Sequence, residues 1–345
     1  MIYLIGWLSI YYYHAISFFL RKQLRPLAIG VTLLLSLVAV LRGSVGTDTA
    51  VYERLATRSE AWSGIEPAFW ILMYIFNAIT QDPVLTVRAF SGVLAVVLML
   101  YIYRSDEDEL FFLMSFFMPL FFYNFSMNVI RVGIAFSILL LALQEDRRGR
   151  TLSAMLLGGL SVMFHYSMIF SLFYLWFNQE YKIESKDRRS IMWMILLFVV
   201  MVVLVVLNEN YFLAKLAVYA RLEAPSLFSG ISRIMLGLVL LTGVFLSSIP
   251  ATQKKRIIYS SLFFMIFFFG LGIYVTPRLL DMVNLLIPIA MLRAYRRIQE
   301  PMDRTFKGAL LLAGLGGAIG MYRYMLYESF WSPSPFLPYH TLFAR

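Results

Sequence analysis

Arg131 is a lone cation between two apolar runs, in the stretch 124–138. A guanidinium keeps its proton at any accessible pH, and at membrane depth it costs several kcal/mol on insertion scales. Its fitting partner is a phosphate or a carboxylate, which it meets with a planar fork of donors. Arg278 is similarly isolated near the end of another apolar run. Together the two read as clamps on a diphosphate. The bland alternative is an interfacial Arg that snorkels to lipid headgroups or pairs with a carboxylate. Three further residues have the chemistry of a general base: Asp48, Glu66 and His165. Asp48 and Tyr52 are four apart and share a helix face if that segment is helical. Asp48 and Glu66 also suit plain helix N-caps. His165 sits at a polar break between apolar limbs, where a satisfied structural histidine is the default.

Composition sets the class in which this chemistry must work. Of 345 residues, 60% are hydrophobic and only 14% charged, against about 25% charged in soluble domains. The chain therefore reads as a polytopic membrane protein forming one integral domain over 1–345. The net charge of +10 does not read as a nucleic-acid surface, because Lys and Arg sit in short loops between apolar runs, as topology signals do. With no cysteine, disulfides, thiolate chemistry and zinc-thiolate sites are excluded, and three histidines far apart in sequence speak against a His-rich metal site. No Walker loop, dinucleotide fingerprint, HExxH or paired metal carboxylates occur, so no cofactor and no metal are expected. Residues 1–20 lack a basic leader region, and their positive charge follows the apolar run. That predicts a retained first span with its N-terminus outside.

The elements that must position these residues follow from the apolar runs and the basic loops. Spans are expected at 1–20, 27–41, 84–103, 110–123, 129–143, 191–207, 234–249, 257–275, 279–292 and 308–327. Basic loops at 21–26, 144–151, 178–189, 251–256 and 293–307 are cytoplasmic by the positive-inside pattern. The acidic loop 104–109 fits that pattern badly, but acidic residues carry little weight in it. Two long loops, 42–66 and 208–233, are external. Pro67–Thr80 is apolar yet shorter than the roughly 20 residues a crossing helix needs. It reads as a short re-entrant or interfacial helix starting at Glu66-Pro67. The segment 151–177 fits the topology only as two short limbs meeting at Phe164-His165-Tyr166-Ser167. Non-helical backbone at membrane depth is tolerated where it lines a cavity or is buried in protein. The functional site is therefore expected at the outer leaflet, where Arg42, Arg131, Arg278 and the helix breaks gather.

These marks, in this order, resemble the EpsG-like, Wzy-type polymerases of bacterial surface polysaccharides. Arg42-Gly43 through Gly46-Thr47-Asp48 and Tyr52 looks like the family's opening motif, and Glu66-Pro67 like its second mark. Met127-Asn128-Val129-Ile130-Arg131 looks like the central Asn-x-x-Arg motif, and Phe164-His165-Tyr166-Ser167 like Phe-His-x-Ser. Arg278-Leu279 and Pro338-Tyr339 match late marks. The family usually has Gln after the central Arg, where this chain has Val132. The resemblance implies an all-α, GT-C-like bundle of about 10–12 transmembrane helices, the length of chain each crossing needs being about 20 residues. It implies a metal-independent glycosyltransferase in the bacterial inner membrane, facing the periplasm or exterior. This enzyme would join undecaprenyl-diphosphate-linked oligosaccharides, within the bilayer and alongside a chain-length regulator protein. Asp48, Glu66 and His165 are then the candidate bases, Arg131 and Arg278 the diphosphate ligands, and Arg42, Tyr52 and Asn128 further substrate contacts. An O-antigen ligase would share the arginines and differ in its acceptor. A lipid-linked oligosaccharide transporter would want charges through the full membrane depth, whereas these cluster on one side.

Overall fold

The computed structural model describes residues 2–57, 66–178, 230–271, 275–326, 334 and 336–343, with isolated residues between 199 and 217. Residues 58–65 of the first expected external loop, most of 191–207 and of 208–233, and all of 178–189 except Asn178 lie outside the described residues. Backbone contacts divide the chain into two compact units. One holds Met1–Trp62, Glu66–Met168 and Leu311–Arg345; the other holds Ile169–Leu310.

In the first unit, α1 (Ile2–Leu20) and α2 (Arg25–Val40) follow the first two apolar runs. Then come α3 (Thr49–Thr57), α4 (Pro67–Thr80) and α5 (Pro83–Arg104). Helices α2, α4 and α5 each start with Pro in the first turn, where a missing N–H costs nothing. Asp82 caps α5, its Oδ1 accepting from the Val84 amide at 2.7 Å. Helix α6 (Glu107–Met127) is continuous and includes one π-helical stretch, Leu113–Phe117. It begins earlier than the apolar run, because Asp106 and Glu109 form a reciprocal capping box. The acidic residues that fitted the topology pattern badly are thus a helix start. Helices α7 (Ile130–Arg147) and α8 (Thr151–Phe164) follow.

Four described helices are long and apolar enough to cross a membrane: α1, α5, α6 and α13 (Arg304–Leu326). Shorter apolar helices accompany them, and the described residues contain no strand. The chain is an all-α polytopic membrane protein. Helix α5 packs against α2, α3, α4 and α7, while α8 packs against both α7 and α4. Helix α13 comes close to α6 at the π-helical stretch. A Cβ on Gly314 would lie 1.8 Å from the Ser115 carbonyl oxygen, so only glycine permits this approach. At one end of the unit the expected basic loop is ionically clasped. Glu145 accepts from Arg104, Arg148 and Arg150 at 3.0–3.3 Å, and Arg147 pairs with Asp106.

The second unit contains most of α9 (Met168–Phe177), then α10 (Ile231–Leu246), α11 (Ala251–Leu271) and α12 (Thr276–Ile298). Helices α11 and α12 pack together, and α10 packs on both. Phe170, Phe264 and Phe268 form an aromatic cluster between α9 and α11. Asp303 closes the unit: its carboxylate accepts from Tyr295 Oη at 2.5 Å, from the Ser248 amide at 2.6 Å and from the Phe306 amide at 2.8 Å.

Candidate active site

The site is built where three helix ends meet in the first unit. Helix α6 stops at Asn128, whose backbone leaves the helical region (φ −111°, ψ −81°). Helix α7 restarts at Ile130, which puts Arg131 in its first turn. Arg131 Nη1 donates to Glu66 Oε2 at 2.5 Å. Glu66 directly precedes Pro67, the position of an N-cap, yet its carboxylate makes no capping bond. It turns instead toward Arg131 and is 1% exposed. A carboxylate so buried needs an ionic or hydrogen-bonded partner, and Arg131 supplies it.

His165 approaches from the end of α8. It adopts an extended conformation as the C-cap (φ −157°, ψ 119°), the break expected between the two limbs. Its Nε2 lies 3.9 Å from Glu66 Oε1. The Ser167 amide donates to His165 Nδ1 at 3.2 Å, and the Ser167 hydroxyl is 2.5 Å from the same nitrogen. An amide N–H can only donate, so Nδ1 is an acceptor and the neutral ring carries its proton on Nε2. Nε2 is also the ring nitrogen that lies near the Glu66 carboxylate. Glu66 thus stands between a permanent cation and an imidazole N–H.

Aromatic rings cover the guanidinium. Arg131 Cζ is 5.8 Å from the Tyr52 ring centroid and 5.5 Å from that of Phe69, within cation–π range. The two rings contact each other at 5.7 Å, and Phe69 packs on Phe90 at 4.6 Å. Burial pushes the Tyr52 phenol above its ordinary value, with the Arg131 guanidinium opposing that rise.

Tyr52 is held there by the loop 42–48 and by α3. Asn128 Oδ1 accepts from the Thr47 amide at 2.7 Å, and its Nδ2 donates to Asn124 Oδ1 at 3.1 Å. Both ends of that side chain are engaged in joining the loop to the α6–α7 junction. Gly46 turns the loop with φ +111°, and a Cβ there would meet the Met127 carbonyl at 2.7 Å. Arg42 is wholly buried. Its guanidinium donates to the Ala39 carbonyl, to Ser91 Oγ at 2.8 Å and to the Val45 carbonyl at 3.2 Å. The chain end pairs with the same loop. Gly43 N donates to the His340 carbonyl at 2.7 Å and Leu342 N to the Leu41 carbonyl at 2.8 Å. Tyr339 Oη reaches the Val38 carbonyl at 2.9 Å.

The structure therefore brings Glu66, Arg131, His165 and Tyr52 together. Arg42 and Asn128 belong to the frame of the loop. Asp48 is half-buried immediately before α3, its carbonyl accepting from the Val51 and Tyr52 amides at 3.0 Å. Arg278 lies in the second unit, exposed on the first turn of α12. On the same helix Asp281 pairs with Arg233, Nε to Oδ1 at 3.5 Å.

Two residues of the frame were not singled out in the sequence. Arg88, 2% exposed, donates to the carbonyls of Arg42 (2.9 Å) and Gly43 (2.6 Å) and to Glu53 Oε1 (2.9 Å). A lone cation early in an apolar run was the available signal, the same one that marked Arg131. Among the described residues, no group of three or more His, Asp or Glu side chains is arranged to hold a metal ion.

The family model described as the EpsG family matches residues 27–341. The comparisons with curated proteins and with solved structures found no match.

Proposed function

The chain belongs to the EpsG family and is a polysaccharide polymerase-like enzyme of glycosyltransferase type, and from that premise we propose that it joins lipid-diphosphate-linked oligosaccharide repeat units. The observation that carries this reading is the convergence of Arg131 and His165, both partly exposed, on the buried Glu66 carboxylate from three separate segments. In the proposed reaction the hydroxyl oxygen of one lipid-linked unit forms a bond to the anomeric carbon of another. The bond from that carbon to the lipid diphosphate breaks, and its electron pair leaves with the diphosphate. The hydroxyl proton passes to a base.

Glu66 is our assignment for the base. Its Oε1 is the carboxylate oxygen facing His165, and a neutral His165 with its proton on Nε2 offers no lone pair there. His165 then orients Glu66. Arg131 is the cation we assign to the leaving diphosphate. A guanidinium has five N–H donors in a planar fork, enough to hold a carboxylate and a phosphate oxygen together. Such charge stabilisation at the leaving group is the main catalytic resource of a site without covalent chemistry. We place the enzyme in the bacterial inner membrane with this site toward the periplasm, and the donor as a glycan on undecaprenyl diphosphate. The chemistry uses no metal.

The test is the surface-polysaccharide ladder of a deletion strain and of that strain carrying variants. One repeat unit on the anchor, restored to a ladder by the wild-type chain and not by Arg131→Ala, is the expected result. Complete loss of decoration with lipid-linked polymer accumulating is a ligase phenotype and overturns the reading.

A further inference from the structure

We propose that Arg88 and Glu53 are positioning residues of the active site, acting through α3 on the contact between Tyr52 and Arg131. The two neighbours on α3 do different work. Tyr52 is turned to the Arg131 guanidinium and to Phe69. Glu53 is turned to Arg88 on α5, at 2.9 Å. The Arg88 side chain is 3% exposed and that of Glu53 is 18% exposed, so water screens this pair weakly.

Arg88 also fixes the chain that leads into α3, through the carbonyls of Arg42 and Gly43. One turn along α5, Ser91 extends this grip. Its hydroxyl accepts from Arg42 and donates to the Ser126 carbonyl on α6, at 2.8 Å in each case. From the other side, Thr49 Oγ1 reaches the Met127 carbonyl at 3.3 Å, and Thr47 is bonded to Asn128. The loop is thus pinned at its start by α5 and at its end by the α6–α7 junction that carries Arg131. What remains to be fixed is the placement of the short helix α3. A nine-residue helix has little intrinsic stability. The Glu53–Arg88 pair is its charged anchor, and through it the Tyr52 ring is held over the cation that pairs with Glu66.

The test has two arms, and only the activity arm rests on the polymerase reading. The chain contains no cysteine, so Ala56→Cys places a single thiol on the buried face of α3, where Ala56 is 3% exposed. In membranes this thiol should react slowly with a small maleimide. Glu53→Ala in the same chain should speed labelling on the order of tenfold to a hundredfold, the opening expected when one charge-assisted hydrogen bond is lost. Arg88 holds two carbonyls as well as Glu53, so Arg88→Ala risks failing to fold, and Glu53→Ala is the decisive variant. In the activity arm, Glu53→Ala should lower polymer formation per mole of membrane protein about tenfold. Glu53→Gln, which keeps an acceptor for Arg88, should retain most of it. In a Tyr52→Ala background, Glu53→Ala should cost nothing more, because its effect runs through Tyr52. A merely structural Glu53 would cost the same in both backgrounds, and that result overturns the proposal. So does a thiol at 56 that stays protected in Glu53→Ala. If the wild-type chain forms no polymer, the polymerase reading falls and the labelling arm alone decides the proposal.

Discussion

Glu66→Ala separates the fold of this site from its chemistry. Glu66 is 1% exposed and 2.5 Å from Arg131, whose side chain is 18% exposed. Removing one partner of a fully buried pair costs about 3–5 kcal/mol, because the other charge is left without compensation. Arg131 retains some access to water and faces two aromatic rings, so the expected loss is smaller, about 2–3 kcal/mol. Removing both charges, in Glu66→Ala/Arg131→Ala, should destabilise less than the sum of the two single variants. The two side chains should show a coupling of roughly 1–3 kcal/mol, as residues in direct contact do. Activity should follow the opposite pattern, with both singles and the double variant failing alike to make polymer. Thermal unfolding of the detergent-purified proteins gives the first quantity, and the polysaccharide ladder of a complemented deletion strain gives the second. The reasoning fails if Glu66→Ala unfolds like the wild type, or if the double variant regains a ladder.

Three other outcomes follow from the same geometry. His165→Ala should stay in the membrane at wild-type level and lose polymer formation on the order of tenfold, since it removes the imidazole that lies 3.9 Å from the Glu66 carboxylate; a blot and a ladder measure both. Gly46→Ala should lower the unfolding midpoint, by about 1–3 kcal/mol of strain at a positive φ, since its Cβ would press on the Met127 carbonyl at 2.7 Å; an unchanged midpoint would mean that the loop adjusts without cost. A cysteine placed at Lys254 in this cysteine-free chain should resist an impermeant thiol reagent added to intact spheroplasts, as the positive-inside assignment requires, and rapid labelling from outside would reverse the orientation.

Local signals in the sequence matched the structure best at helix ends. Pro67–Thr80 forms the expected short helix, and the polar stretch at His165 divides two short limbs as expected. Both follow from nearest-neighbour chemistry: a proline that begins a helix, a polar stretch that interrupts one. The start of α6 was misjudged by hydropathy, because the capping box at Asp106 lies in a stretch that hydropathy counts as loop. Glu66 and Arg131 were each legible as unusual residues. Their pairing was not, because they are 65 positions apart and nothing in local spacing links them. Arg42 and Arg131 look alike as isolated arginines near span ends, yet one is wholly buried among backbone carbonyls and the other faces a carboxylate and two rings. That difference depends on which helices pack against them. Arg88 and Glu53 illustrate the same limit, since their bond joins segments 35 positions apart.

The most direct test of the central claim is polymer formation by the purified wild-type chain and its Arg131→Lys and Arg131→Ala variants, given a lipid-diphosphate-linked repeat unit as substrate. Lysine keeps the charge but lacks the planar fork that can hold Glu66 and a phosphate oxygen together. The account predicts elongation by the wild type, and loss on the order of tenfold to several hundredfold in both variants, taking about 1.36 kcal/mol per decade. Wild-type elongation by Arg131→Lys would contradict it.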